Sequence, residues 1–215
     1  MINKIKLLGL AAAVALAPTL SSALTLTIDD MSTVGVDQTV IGATMANFSG
    51  TAGGFDIQIA SGGISTSGNA YTLNTSSIQV LGVGSLQISA EQTNLTGFSG
   101  PDLSLIGSGT VSDIGLTVTV EHFINTGSGY QTVGNVLNFA AASGPVNLSD
   151  ITYDTVAMSP MFDLKSVFTI VTDANYQSAN VNSTLRVTPV PLPAGGILLL
   201  TALGGMGIAR RRKKA

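Results

Sequence analysis

His122 is the only histidine in the chain, and beside it stands Glu121, the nearest approach to an acid–base couple that the sequence offers. Such a couple moves a proton at one substrate atom, which requires both side chains on one face. The residues before them alternate, Leu116, Val118 and Val120 against Thr117 and Thr119, and so predict a strand. Adjacent strand residues point to opposite faces, which puts His122 with the apolar set and Glu121 with the threonines. The two do not converge, and His122 is expected at a strand end or the edge of a core. The partners of a Ser–His–acid triad or a histidine zinc site are missing from the pattern. Two carboxylates flanking a bond at roughly 5–10 Å would serve glycoside hydrolysis. With twelve Asp and Glu some such pair arises by chance, and there is no tryptophan on which a sugar ring would stack. No catalytic residue is assigned, and the chain is not expected to be an enzyme. Calcium is the better prospect. Asp29 with Asp30, Asp150 with Asp154, and Asp173 with Asn175 are local oxygen clusters, and calcium takes roughly six to eight oxygens from flexible loops. None matches the EF-hand or the nonapeptide calcium repeat, and solvated turn or strand-end aspartates also account for them. No other cofactor is expected.

The elements that must position these residues are strands. Period-two alternation recurs at Leu24–Leu26–Ile28, Phe55–Ile57–Ile59, Leu86–Ile88–Ala90, Leu116–Val118–Val120, 133–139, 167–171 and 184–188. Turn clusters stand between them, at Ser61-Gly62-Gly63, Gly97-Phe98-Ser99-Gly100-Pro101 and Thr126-Gly127-Ser128-Gly129. Many short strands with turn signals predict an all-β, jelly-roll-like β-sandwich, with a β-solenoid as the alternative. A weak echo relates Ser85–Gly97 to Gly115–Gly127, which two strands of one sheet explain without a repeat.

Charge is distributed unevenly. Residues 24–189 hold all twelve carboxylates and only two cations, Lys165 and Arg186, a formal net charge of −10. A domain this acidic repels phosphate backbones, which excludes nucleic acid as a partner and leaves cations, basic proteins and neutral polysaccharide. The chain has no cysteine, so disulfides and thiolate metal sites are ruled out.

Both ends of the chain read as addresses. Lys4 and Lys6, the uncharged run 7–17 and Ser21-Ser22-Ala23 form a secretory signal peptide over 1–23, cut by signal peptidase between Ala23 and Leu24. The secreted domain then spans 24–189. At 190–215, Val190-Pro191-Leu192-Pro193-Ala194 leads into an apolar segment, 195–209, expected as a single helix in the membrane, and then Arg210-Arg211-Arg212-Lys213-Lys214 before Ala215. Residues 192–209 would span about 27 Å as a helix, short of a bilayer core of about 30 Å. Five glycines weaken the span further, and the basic cluster would hold its far end in the cytoplasm.

This tail resembles the PEP-CTERM family in its Val-Pro-Leu-Pro-Ala variant, carried by exported proteins of Gram-negative bacteria, and the likeness covers 190–214. Leu192 stands where the commoner Pro-Glu-Pro form has its glutamate. The resemblance implies recognition by an exosortase, a membrane transpeptidase that removes the tail. It further implies passage through the inner membrane to the cell surface or extracellular matrix, with a structural or interaction role linked to exopolysaccharide or biofilm. Leu192-Pro193-Ala194-Gly195-Gly196 is also similar to the sortase motif, with Gly195 in place of its threonine, and the glycine pair is similar to tails cut by rhomboid-type proteases. A calcium- or carbohydrate-binding module anchored by an uncut tail is the other reading.

Overall fold

The computed structural model describes residues 22–67, 70–97, 102–112, 117–140, 148–157, 159–173 and 178–190. The segment expected as a signal peptide, up to residue 21, and the tail beyond Val190, including Pro191 to Ala194 and Arg210 to Lys214, lie outside the described residues. Within them the chain is all β, in thirteen strands: β1 Leu24–Asp30, β2 Gln38–Gly42, β3 Met45–Ala52, β4 Phe55–Ser67, β5 Ala70–Leu81, β6 Gly84–Thr96, β7 Asp102–Ser112, β8 Thr117–Asn125, β9 Tyr130–Thr132, β10 Leu137–Ala140, β11 Leu148–Ala157, β12 Met161–Thr172 and β13 Ser178–Pro189.

They form two sheets, the sandwich the alternation predicts. Sheet A runs β10-β8-β12-β6-β1-β2, with β9 also paired to β8; sheet B runs β11-β7-β13-β5-β4-β3. Every pairing is antiparallel. From β5 to β8, and again from β10 to β13, the chain crosses between sheets at each step, as in a jelly roll. A solenoid would instead pair each strand with its successor coil; here β1 pairs with β6 and β13 with β5 and β7. The echoing segments become β6 and β8, which flank β12 in one sheet.

The core follows from alternation. β1 buries Leu24, Leu26 and Ile28; β6 buries Leu86, Ile88 and Ala90; β12 buries Phe162, Leu164, Phe168 and Ile170. From sheet B, Leu73, Leu103, Leu105, Leu185 and Val187 meet them. Two local expectations are corrected. Ser61-Gly62-Gly63 is no turn but the middle of β4, where the pairing with β5 shifts register twice. A Cβ on Gly62 would lie 3.3 Å from that of Ala90 and 3.7 Å from Leu24, so glycine there lets the sheets approach closely. The strand expected over 133–139 is confined to β10, because Gly134 takes a φ of +62° and turns the chain. Val133 is buried outside that ladder.

The start of β1 and the end of β13 lie at one end of the sandwich. Leu24 pairs with Gln92 near the finish of β6, and Pro189 with Leu103 at the start of β7. The Val190 N–H donates to the Asp102 carbonyl at 2.9 Å.

Candidate functional site

The candidate calcium ligands do not gather. Asp29, Asp30, Asp150 and Asp154 lie in strands, not loops. Asp29 and Asp30 are neighbours in β1 and so point to opposite faces. Asp30 instead clasps a loop, accepting from Gly54 N–H at 2.7 Å and Ser32 N–H at 3.0 Å. These bonds, the Gly54 one first, hold its carboxyl below the ordinary carboxylate range. Asp150 accepts from Ile151 N–H at 2.8 Å; Asp154 accepts from Thr155 N–H at 2.7 Å and Gly134 N–H at 3.0 Å. Asp173 follows β12, and Asn175 lies outside the described residues. Among the described residues, no three of Asp, Glu and His come together as metal ligands.

His122 faces inward and Glu121 outward, as the alternation requires, but His122 lies well inside the core rather than at its edge, 1% exposed. Its Nδ1 is 3.0 Å from Ser166 Oγ of β12 and its Nε2 is 3.5 Å from Ser183 Oγ of β13. Burial lowers its pKa to about 4, opposed by a hydrogen bond to the Ser108 backbone. A serine beside a histidine is the beginning of nucleophilic chemistry, yet Ser166 is wholly buried and Ser183 nearly so. The three form a polar node that ties β8, β12 and β13 together across the core.

The side chains that face solvent together lie on the outer face of sheet A. Register aligns Glu91, Lys165, Phe123 and Thr132 across β6, β12, β8 and β9. Lys165 Nζ is 3.6 Å from Glu91 Oε2 and 5.5 Å from the centre of the Tyr130 ring. Tyr130 meets Phe123 edge-on at 6.5 Å between ring centres and stays 39% exposed. Partial burial, then a hydrogen bond to Glu91, raises the Tyr130 phenol above its ordinary value, so it stays neutral. The turn that brings Tyr130 here is built by Asn125, whose Oδ1 accepts from Gly127 N–H at 2.9 Å and Gly129 N–H at 3.0 Å. Asn125 Nδ2 in turn donates to Asp163 at 3.1 Å, and Asp163 also accepts from Asn94 N–H at 2.8 Å. A neutral ring, amide, ammonium and carboxylates on one sheet face can take a ligand with an apolar face and many hydroxyls. Sequence patterning marks the 126–129 turn but not this grouping; the turn's return of Tyr130 onto β8 was the available signal.

A cleft lies at the end of the sandwich where β1 starts. It measures about 350 Å³, with polar walls from Thr44, Thr66, Tyr71, Asn94 and Thr96, an apolar lining from Ile64 and Leu95, and Ser22 at one side. Tyr71 is fixed by a hydrogen bond from its hydroxyl to the Thr96 carbonyl and by edge-on contact with Phe162. Asn94 holds a φ of +58°, the one non-glycine positive value among the described residues.

No family model matches the chain, and no curated protein matches it. Similar solved structures include TmCBM61 in complex with β-1,4-galactotriose, at 11% identity over 56% of this chain and 71% of that one, TM-score 0.30. The CBM22-1 xylan-binding domain of Xyn10C from Paenibacillus barcinonensis matches at 13% identity over 69% and 88%, TM-score 0.30. The VP2 subviral particle of infectious bursal disease virus matches at 11% identity over 80% and 54%, TM-score 0.33. Likenesses of this strength bear on neither activity nor ligand, and the fold class stands on this chain's own strand pairing.

Proposed function

We propose that this chain is an exported cell-surface or extracellular-matrix protein whose sandwich domain holds polysaccharide on the outer face of sheet A, with no catalytic step of its own. The grouping of Tyr130 with Lys165, Glu91, Asn125 and Asp163 carries the proposal. Sugars are bound by an aromatic ring against their C–H faces and by fixed polar groups at their hydroxyls. The carboxylates of this face favour neutral chains there. Tyr130→Ala is expected to weaken retention of a neutral polysaccharide about tenfold, or ~1.4 kcal/mol, in affinity electrophoresis. Unchanged retention with a panel that binds the parent protein would overturn the assignment to this face.

Delivery rests on the tail. Exosortase recognition of Val190-Pro191-Leu192-Pro193-Ala194 would pause the chain in the inner membrane and then release it to the surface. Replacing Pro191 and Pro193 together is expected to leave uncut precursor in membranes, read as the mass of the intact C-terminus. Normal processing of that variant counts against the motif. Wild-type protein confined to membranes with Arg210 to Lys214 intact would make it a tail-anchored binding module instead.

A further inference from the structure

β1 enters sheet A between β2 and β6, with Leu24 opposite Gly42 on one side and Gln92 on the other. Two residues back, Ser22 lines the end cleft together with Thr44 and Asn94. Between Ser22 and Leu24, the Ala23 carbonyl accepts from Thr93 N–H at 3.1 Å and Thr93 Oγ1 at 3.5 Å. Of the last two residues of the expected leader, Ser22 is therefore one wall of the cleft and Ala23, next to it, is held to β6 through Thr93.

We infer that cutting after Ala23 turns this cleft into a binding site for a carboxylate-bearing sugar, a uronic-acid residue. The inference rests on the cleavage position read from the sequence and goes beyond the sheet-face proposal. Hydrolysis adds water across the Ala23–Leu24 peptide bond: hydroxyl goes to the Ala23 carbonyl, which departs with the leader, and hydrogen to the Leu24 nitrogen. That nitrogen takes a further proton from solvent, since an α-amine has a pKa of about 7.7–8.0. Leu24 stays anchored because its side chain is wholly buried. The new ammonium points where the Ala23 carbonyl carbon stood. Thr93 N–H and the Thr93 hydroxyl lose their acceptor in the same step. Three donors then face one vacated slot, and a carboxylate brings two acceptor oxygens and the matching charge.

The rest of the cleft suits a sugar ring attached to that carboxylate. Thr44, Thr66 and Asn94 line the cleft that Ser22 borders, while Ile64 and Leu95 offer an apolar surface to ring C–H groups. None of its lining residues is Asp or Glu, in contrast with the sheet-A face. With Ser22 in place its volume is about 350 Å³, at the small end of ligand pockets, and loss of Ser22 opens it further.

The test compares two forms of the exported protein. One carries its own leader; the other carries a leader cut before Ser22, so that Ser22 and Ala23 remain. Intact mass verifies each N-terminus, and trigalacturonate, neutral galactotriose and acetate are titrated into both. The form beginning at Leu24 is expected to bind trigalacturonate at least tenfold tighter than the form beginning at Ser22, and tighter than galactotriose. Equal trigalacturonate binding by the two forms overturns the site, and acetate binding as tight as the trisaccharide overturns the sugar. A natural N-terminus other than Leu24 overturns the cleavage position itself, separately from the affinities. Thr66→Val, which keeps the size of the side chain, is expected to weaken trigalacturonate binding several-fold in the Leu24 form; no change there also counts against the site.

Discussion

Gly107→Ala is expected to destabilise the domain by about 3 kcal/mol, the upper part of the ordinary range for overpacking a core. The added Cβ would stand 2.3 Å from His122 Cδ2 and 3.0 Å from Cγ and Nε2. The imidazole has little freedom to retreat, because Ser166 and Ser183 hold its two nitrogens from different sheets. Gly109→Ala on the same strand face is the milder control. Its Cβ would meet Phe139 at 3.3 Å, a contact that a small ring shift relieves. Urea unfolding at neutral pH should therefore show a large fall in midpoint for Gly107→Ala, a smaller one for Gly109→Ala, and unchanged slopes. In a His122→Ala background the same Gly107→Ala change should cost less than about 1 kcal/mol, because the clash is gone. An equal cost in both backgrounds would locate the penalty in the backbone of β7 rather than in the ring.

The same glycine shows why some strands were legible in the sequence and others were not. β1, β6 and β8 open their inner rows with successive Leu, Ile or Val residues (Leu24, Leu26 and Ile28; Leu86 and Ile88; Val118 and Val120), and local alternation finds them. The inner row of β7 is Leu103, Leu105, Gly107, Gly109 and Val111, so its apolar signal lapses where the opposite sheet supplies the bulk through His122, Leu137 and Phe139. β4 is split by Gly62 for a like reason. On β11 the pattern inverts: Thr152 points in while Ile151 and Tyr153 are exposed on the outer face of an edge strand. Alternation also sets the inward aim of His122, but not its partners. Ser166 arrives through the β8–β12 pairing, 44 positions away, and Ser183 through the packing of the other sheet, 61 positions away, and neither distance is settled by local pattern. The meeting of Tyr130 with Lys165 and Glu91 is non-local in the same sense.

Acidification should expose the second large effect, through the same histidine. Burial holds the His122 pKa near 4 in the folded domain, against 6.5 as its ordinary value in an unfolded chain. Between those values the unfolded chain binds a proton that the folded one refuses, so stability is full above about pH 6.5 and drains as pH falls towards 4. The loss amounts to about 3 kcal/mol, at ~1.4 kcal/mol for each pH unit of the interval. Among the described residues the groups that bond the ring are Ser166, Ser183 and the Ser108 backbone, none of them a carboxylate, so protonation finds no compensating charge there. Asp30 acts in a different window. Its carboxyl is held below the ordinary value of 3.8, so its contribution is intact above that value and lost only at lower pH. Urea midpoints taken from pH 7 to 4 should thus fall steeply for the wild type and stay nearly level for His122→Gln, which keeps a donor and an acceptor but cannot charge. Parallel curves for the two proteins would remove His122 as the cause. If the variant fails to fold, the imidazole Cε1–H resonance of the wild type decides instead: it should hold its neutral position down to about pH 5, and a midpoint near 6.5 in the folded protein would refute the buried, neutral ring.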